Sequence, residues 1–288
     1  GGPMARTRKV GSPIGYSSAG LTGFVSVWAT TAINETITIP TQNIGTFNAV
    51  VDWGDGTIET ITTYNGFSHE YAAIGDHTIS ITGTFPNIYI ANGTEKLKIK
   101  RVLNLGTVGW TKLDQAFYGC SNLTQFTVGS TDTSAVTDMT FTFSACSGLT
   151  SIDLSSLNTS SVTRTSRMFE NCSGLTSVDV SFDTTQVFSM YFMFNGCSSL
   201  TSMVGVEDFD ITSLNLAASL SSFLTTGKMT TAQYDNLLVK WQAQVQVTPS
   251  IPAITAHFGA SIHSPSPSAA YTAKQSLINT YGWTVSDG

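Results

Sequence analysis

The sequence contains four cysteines whose spacing limits the chemistry they can do. They are separated by 26, 26 and 25 residues, with similar neighbours such as TFSACSGLTSIDL and MFENCSGLTSVDV. A fixed period of this length is typical of stacked repeats, in which equivalent side chains lie about 4.8 Å apart and point the same way. Parallel side chains suit a disulfide poorly, and each repeat supplies one thiol and no histidine for a metal. The pattern predicts a buried column of free thiols, formed by Cys120, Cys146, Cys172 and Cys197.

A second chemical pattern consists of hydroxyl and carboxylate side chains at fixed positions after each cysteine. They alternate with apolar residues, so we expect them to point outward from short strands. A patch of this composition suits hydrogen bonding to a glycan or to a polar protein surface. A solvated face without a ligand and an ice-binding threonine ladder are the alternatives. The predicted ligand-binding residues are Thr150, Ser151, Asp153, Thr176, Ser177 and Asp179.

The repeated carboxylates raise the question of catalysis. Asp153 and Asp179 are expected about 5 Å apart on neighbouring strands, close to the carboxylate separation of retaining glycosidases. This separation is inherent to any ladder, and these strands carry no outward aromatic side chain for a sugar. The nucleophile-elbow, zincin and phosphate-loop motifs are absent from the sequence. We therefore predict a protein that is not an enzyme and that uses no cofactor.

Two other groups could hold a cation. Asp52 and Asp55 flank Trp53 in VDWGDGT and offer oxygens to a hard cation such as Ca²⁺. Alternatively, both carboxylates cap a turn through hydrogen bonds to nearby backbone amides. His257 and His263 lie six residues apart without a cysteine or carboxylate cluster. We predict no resident metal at either place.

The apolar columns of the repeats predict the elements that position these side chains. The pattern L-x-x-h-x-h (h is apolar) after each cysteine predicts a short strand. Before the cysteine, Val136, Met139 and Phe143 are spaced i, i+3 and i+7, which predicts a short helix with one buried stripe. Each unit is thus expected to be a short helix, a turn and a strand.

These columns resemble the leucine-rich repeats of BspA-like bacterial surface proteins, which read roughly V-x-x-M-x-x-M-F-x-x-C-x-x-L-x-x-h-x-h followed by D-T-S. The resemblance covers residues 105–215 and implies a solenoid of about four repeats. The D-T-S element stands at Asp132-Thr133-Ser134, Asn158-Thr159-Ser160 and Asp183-Thr184-Thr185.

Residues 24–104 have a different residue pattern, in which segments of alternating apolar and polar residues are separated by turn signals. This pattern predicts a small antiparallel β-sandwich. The Asp55-Gly56 pair predicts a hairpin turn in which both residues have positive φ. The elements W-G-D-G-T, H-x-Y and G-x-H-T-I-x-I resemble the polycystic-kidney-disease (PKD) module. That resemblance implies a spacer or carbohydrate-associated domain. No linker precedes residue 105, so the sandwich and the repeats are expected to be one rigid body.

Residues 223–288 are predicted to cap the repeats, since an open stack would expose its core. A helix with Thr230 or Thr231 as N-cap is expected to bury Tyr234 and Trp241. A second helix is expected over residues 268–281, followed by a short strand after Trp283. A similar C-terminal cap occurs in BspA-like chains.

Composition narrows the possible partners. The net charge is −6 and only 11% of residues are charged, which gives no electrostatic basis for binding nucleic acid or an anionic membrane. No apolar run is long enough to insert into a membrane. Gly1-Gly2-Pro3 resembles a cloning remnant, and residues 1–23 are expected to form an N-terminal arm. The basic cluster after Met4 is not followed by the apolar stretch of a signal peptide.

The sequence therefore predicts a mainly β protein with short helices, in which a PKD-like β-sandwich precedes a leucine-rich-repeat solenoid and a helical cap. The expected function is adhesion or recognition at the cell surface or outside the cell, with a glycan or a protein as partner. The alternatives are a phage virion component that attaches to a host or to other virion proteins, and a structural spacer.

Overall fold

The computed structural model describes residues 21–288, so most of the expected N-terminal arm lies outside the described residues. The described chain is mainly β and contains two α-helices, as the sequence predicts. None of its helices is long and apolar enough to cross a membrane. The elements are β1 (Phe24–Thr30), β2 (Glu35–Thr38), β3 (Asn48–Asp52), β4 (Ile58–Ile61), β5 (Ser68–Tyr71), β6 (Gly75–Thr84), β7 (Ile99–Asn104), β8 (Gln125–Phe126), β9 (Ser151–Asp153), β10 (Ser177–Asp179), β11 (Ser202–Val204), β12 (Leu220–Leu224), α1 (Thr231–Val247), β13 (Thr255–Phe258), α2 (Ala269–Asn279) and β14 (Thr284–Ser286).

The first part of the chain forms two antiparallel sheets over a shared core. Strands β4, β3, β6 and β1 are neighbours in the larger sheet, and β2 pairs with β5 in the smaller one. Ile37 and Tyr71 from the small sheet are buried in the same cluster as Val51 and Ile79 from the large one. The β3–β4 hairpin is present. However, Gly54 and Gly56 carry its positive φ values rather than Asp55 and Gly56.

One continuous sheet joins this part to the repeats. Strand β7 is antiparallel to β1 and parallel to β8, so it belongs to both halves. Asn104, at the end of β7, is fully buried. Its Nδ2 donates to the Gly23 carbonyl at 2.7 Å, and its Oδ1 accepts from the Ser130 amide at 2.9 Å. This single side chain therefore links three segments of the junction.

The repeats stack in parallel register. Strands β9, β10 and β11 form a three-stranded parallel sheet in which Ile152, Val178 and Met203 face each other in one buried column. Equivalent residues of successive repeats therefore occupy equivalent positions on the surface. This register follows from the sequence period, because a slip of one residue would turn the buried column outward.

The segment before each cysteine is a series of turns, so the prediction of a short helix there is wrong. Phe141 and Ala145 have φ values of 59°, which an α-helix does not allow. The Met139, Phe141 and Phe143 amides donate to carbonyls of the following repeat, at 3.0, 3.2 and 2.9 Å. The predicted apolar stripe is still buried. The turns thus build a second hydrogen-bonded ladder, which we call the turn face.

The C-terminal part continues this ladder. Met190, Phe192 and Phe194 donate their amides to carbonyls of the segment that contains β12. Strand β12 is followed in a parallel sheet by β13 and β14. Thr230 is the N-cap of α1, one of the two residues predicted for that position, and its side chain accepts from Gln233 N. The Ser268 side chain caps α2 by accepting from Tyr271 N. Helix α1 buries Tyr234, Leu237, Leu238 and Trp241, as predicted.

Candidate functional site

Inside the stack, a column of phenylalanines sets the spacing of the repeats. The rings of Phe117, Phe143, Phe169 and Phe194 lie nearly parallel, with centroids 5.7, 5.5 and 5.4 Å apart. Phe223 ends the column with an edge-on ring 5.4 Å from Phe194. Offset stacking at these distances is favourable in a dry interior, so the column holds the outer surfaces at a constant separation.

The four cysteines are free thiols and fully buried, which confirms the sequence prediction. Three of them also donate hydrogen bonds between repeats. The sulfurs of Cys146, Cys172 and Cys197 lie 3.0–3.1 Å from the carbonyl oxygens of the phenylalanines in the preceding repeat. Burial raises the pKa of all four thiols, that of Cys197 to about 12. The thiols are therefore structural and are not nucleophiles at neutral pH.

The structure brings all six predicted ligand-binding residues together. Ser151 pairs with Ser177 and Asp153 with Asp179 across β9 and β10, and the Thr176 amide donates to the Thr150 carbonyl. Their side chains are exposed or half-buried. We call this patch the strand face; it consists of Thr150, Ser151, Asp153, Thr176, Ser177 and Asp179.

The carboxylates of the strand face also have a local structural role. Asp153 Oδ1 accepts from the Ser155 hydroxyl at 2.6 Å and from its amide at 2.9 Å. These bonds lower the pKa of Asp153. Asp179 Oδ1 accepts from the Ser181 amide at 3.0 Å. One oxygen of each carboxylate is thus engaged in a turn, and a ligand would meet the remaining oxygen and the neighbouring hydroxyls.

The D-T-S elements form a ladder of their own. The aspartate or asparagine caps the amide two residues later, as at Asp132 Oδ1 with Ser134 N. The middle threonine is buried and donates to a carbonyl in the next repeat, at 2.9 Å from Thr133 to Asn158 and 2.7 Å from Thr159 to Asp183. The structure adds a fourth member at residues 210–212, with isoleucine in the middle position. The buried threonines of this motif therefore link each repeat to the next.

The aspartates of the first part of the chain act as turn caps. Asp52 Oδ1 accepts from Gly54 N, and Asp55 Oδ1 accepts from Thr57 N. Asp55 Oδ2 lies 2.7 Å from His69 Nε2, and this bond lowers the pKa of Asp55 to about 2. Over residues 21–288, no three histidine, cysteine or carboxylate side chains are grouped so that they could hold a metal ion.

The sequence reasoning overlooked a groove on the turn face. It has a volume of about 400 Å³ and crosses all four repeats. We call it the turn-face groove, lined among others by Asp114, Asp138, Thr140, Arg164, Phe188 and Tyr191. A signal was present in the sequence. Phe188 and Tyr191 occupy, relative to the cysteine, the positions held by Thr163 and Ser166 in the third repeat.

Basic side chains hold the aromatic rings around this groove. The Arg164 guanidinium lies 5.2 Å from the centroid of the Phe188 ring and pairs with Asp138, with Nη1 3.7 Å from Oδ2. Arg167 lies 5.6 Å from the ring of Tyr191, and its Nη1 donates to both carboxylate oxygens of Glu170, at 2.9 and 3.0 Å. These cation–π contacts restrict the motion of the two rings without covering them completely.

Comparison with known proteins yields one family. Residues 88–215 match the family described as Mycoplasma protein of unknown function, DUF285. The match begins before β7 and covers the four repeats. Neither the curated proteins nor the solved structures contain a significant match to this chain.

Proposed function

We propose that this chain is a non-enzymatic recognition protein that acts outside the cell or at its surface. In this proposal the repeats are a BspA-like leucine-rich-repeat solenoid, the first part is a PKD-like β-sandwich, and residues 223–288 are a cap. The domain limits are those expected from the sequence, 24–104, 105–222 and 223–288. The partner is a glycan or protein on a cell surface.

The observation that carries the proposal is the register of the strand face. Parallel pairing of β9 and β10 places identical polar side chains side by side on a backbone that is hydrogen-bonded on both faces of the stack. Short hydroxyl side chains lose little entropy when a ligand orders them. A rigid, periodic and weakly charged surface of this kind suits recognition better than proton transfer, because Asp153 is held ionised by its turn.

The size of the strand face predicts weak binding by one copy. Even the short strands of all four repeats together present only about 300–500 Å², well below a standard stable interface, and the strand face is a part of that area. Useful attachment would therefore depend on many copies displayed together. A bacterial cell surface provides such a display. So does a phage virion, where a fibre or decoration protein would use the same face to attach to its host.

The test measures binding of a multivalent bead display to bacterial cells and to arrayed glycans. The variant carries Thr150→Lys and Thr176→Lys with Asp153→Asn and Asp179→Asn, since asparagine can keep the turn-capping oxygen. We expect at least a tenfold loss of binding. A control with Ala135→Lys and Gln186→Lys, both exposed outside the strand face, should bind as the wild type does. Undiminished binding by a folded strand-face variant would contradict the proposal.

A further inference from the structure

We propose that the turn-face groove binds a neutral oligosaccharide. The inference goes beyond the strand face: it assigns a second site on the turn face and names the chemical class of its ligand. It accepts the recognition role proposed above but does not depend on the strand-face residues.

The groove is long and shallow enough to hold an extended ligand. One column of the repeat supplies Asp114, Thr140, Ser166 and Tyr191 at equivalent positions. Threonine and serine are small, so the floor is low across the second and third repeats, and Tyr191 closes it at the fourth. Three steps of inter-repeat spacing give a floor on the order of 15 Å long. Its volume of about 400 Å³ falls within the range of small-molecule sites.

Two aromatic side chains form one wall of the groove. Phe188 and Tyr191 are half-buried although each stands at the surface of the fourth repeat. The preceding repeat reaches the same positions with Thr163 and Ser166, so packing of the repeat does not require an aromatic ring there. Rings that are partly exposed and held in place by arginines offer flat apolar faces. The carbon–hydrogen face of a sugar ring complements such a surface.

Two side chains of the groove have unsatisfied hydrogen-bonding atoms. Asp114 Oδ1 and Thr140 Oγ1 are buried and have no hydrogen-bond partner in the described chain. Lys112 Nζ lies 3.3 Å from Asp114 Oδ1 as an ion pair, without hydrogen-bond alignment. Buried polar atoms without a partner are rare in native proteins. These two side chains line the groove in neighbouring repeats, and the hydroxyl groups of a saccharide would supply the hydrogen-bond partners that they lack.

The charge of the groove selects a neutral ligand. Its carboxylates, Asp114 and Asp138, are each accompanied by a cation, Lys112 and Arg164. The groove therefore has no excess positive charge for a phosphate or sulfate and no excess negative charge for an amine. What remains is a set of hydrogen-bonding groups beside aromatic rings, which suits a polyhydroxylated molecule without charge.

The test uses the intact chain and a panel of maltose, cellobiose, lactose and N,N′-diacetylchitobiose, with a sulfated heparin disaccharide for comparison. Binding is measured by saturation-transfer NMR and by titration. The variants are Phe188→Thr, Tyr191→Ser and the double change, each of which installs the residue of the third repeat. We expect at least one neutral disaccharide to bind and the double variant to bind it at least tenfold more weakly.

The strand-face variant described above is the matched control. It should bind the disaccharide as the wild type does, and thermal unfolding checks that every variant is folded. The inference is overturned if no neutral saccharide binds at millimolar concentration, if the heparin disaccharide is preferred, or if the groove variants bind normally. The two proposals can fail separately. If the wild type attaches to cells and the strand-face variant does not, the proposed function stands. If the wild type in the same experiments binds no disaccharide, this inference alone is rejected.

Discussion

At the scale of single residues, each cysteine of the column contributes to the stack by packing and, in three repeats, by hydrogen bonding. Each buried thiol fills a small space beside the phenylalanine column, and three of the four donate to a carbonyl of the preceding repeat. Burial disfavours the thiolate, which is the reactive form. Packing and these hydrogen bonds account for the recurrence of cysteine at this position in all four repeats without a redox or catalytic role.

We predict that the native protein will not react with thiol reagents. The raised pKa values and complete burial of the four cysteines exclude both the thiolate and the reagent. Titration with a chromogenic disulfide should give almost no reaction before unfolding and four equivalents after it. The variant Ser198→Cys places a thiol at an exposed position and should react with one equivalent in the native state. Rapid reaction of the wild type would show that the column is open to solvent.

A second prediction concerns Asp55, whose pKa is lowered to about 2 by its bond with His69. The unfolded carboxylate titrates near 3.9, so the pair stabilises the protein fully above about pH 4. That contribution is lost as the pH falls from 4 to 2. Asp55→Asn should lower the unfolding temperature at pH 5–6 and flatten its decline between pH 4 and 2. Equal unfolding temperatures of the two proteins at pH 6 would contradict the prediction.

At the scale of the element, each repeat satisfies its backbone through its neighbours. Strands β9, β10 and β11 form one ladder between repeats and the turn face forms another, and the buried threonines of the D-T-S elements add a third line of contacts. The repeat cannot form these bonds alone, so its conformation depends on the stack. This explains why the turns accept residues with positive φ that an isolated segment would avoid.

We expect Thr159→Val to destabilise the protein by about 1–3 kcal/mol. The substitution preserves the shape of the buried Thr159 side chain but removes its hydrogen bond to the partly buried Asp183 carbonyl. The control is Thr124→Val, which removes an exposed hydroxyl at the position that Thr150 and Thr176 occupy in the next two repeats. It should change stability by less than about 0.5 kcal/mol. Urea unfolding followed by circular dichroism measures both. Equal effects of the two substitutions would mean that the D-T-S ladder does not stabilise the stack.

The positive-φ column gives a prediction of opposite sign. Ala145 has a φ of 59°, and two of its equivalents in other repeats are Gly119 and Gly196. A non-glycine residue in this region costs about 1–2 kcal/mol, whereas glycine loses about 0.5–1 kcal/mol through chain entropy. Ala145→Gly should therefore leave stability unchanged or raise it by up to about 1 kcal/mol. The same change at Ala243, within α1, should cost about 1 kcal/mol.

At the scale of the whole molecule, the described chain has one continuous hydrophobic core. Strand β7 is shared between the antiparallel sheet and the repeats, and β12 is shared between the repeats and the C-terminal sheet. Each end of the stack is therefore covered by a folded region. The groove and the strand face consequently keep a fixed relation to each other.

We predict that the antiparallel part and the repeats unfold together. Asn104→Ala removes a buried side chain that bonds to Gly23 and Ser130, and should cost about 2–4 kcal/mol. The same loss should appear in the hydrogen-exchange protection of β3 and of β10. A fragment that starts at Ile99 should aggregate, because it exposes the apolar end of the first repeat. A soluble, cooperatively folded fragment would show that the antiparallel part is not needed.

The sequence determined the repeat register, the buried columns and the composition of the strand face. These follow from side-chain periodicity, which survives any local backbone conformation that keeps one face inside. Tyr234, Trp241 and the Thr230 cap were predictable for the same reason, since the i, i+3, i+4 and i+7 spacing and capping chemistry are local.

Only the tertiary structure decided the conformation before each cysteine and the presence of the groove. The spacing of Val136, Met139 and Phe143 fits a helix, but the backbone amides find carbonyls in the next repeat, a bond that no single repeat reveals. The groove arises because Thr140 and Ser166 are much smaller than Tyr191, which occupies the same column in the fourth repeat and closes the groove at that end. Sequence periodicity predicts which side chains share a column, whereas the stacking of unlike residues within that column determines the shape of the surface.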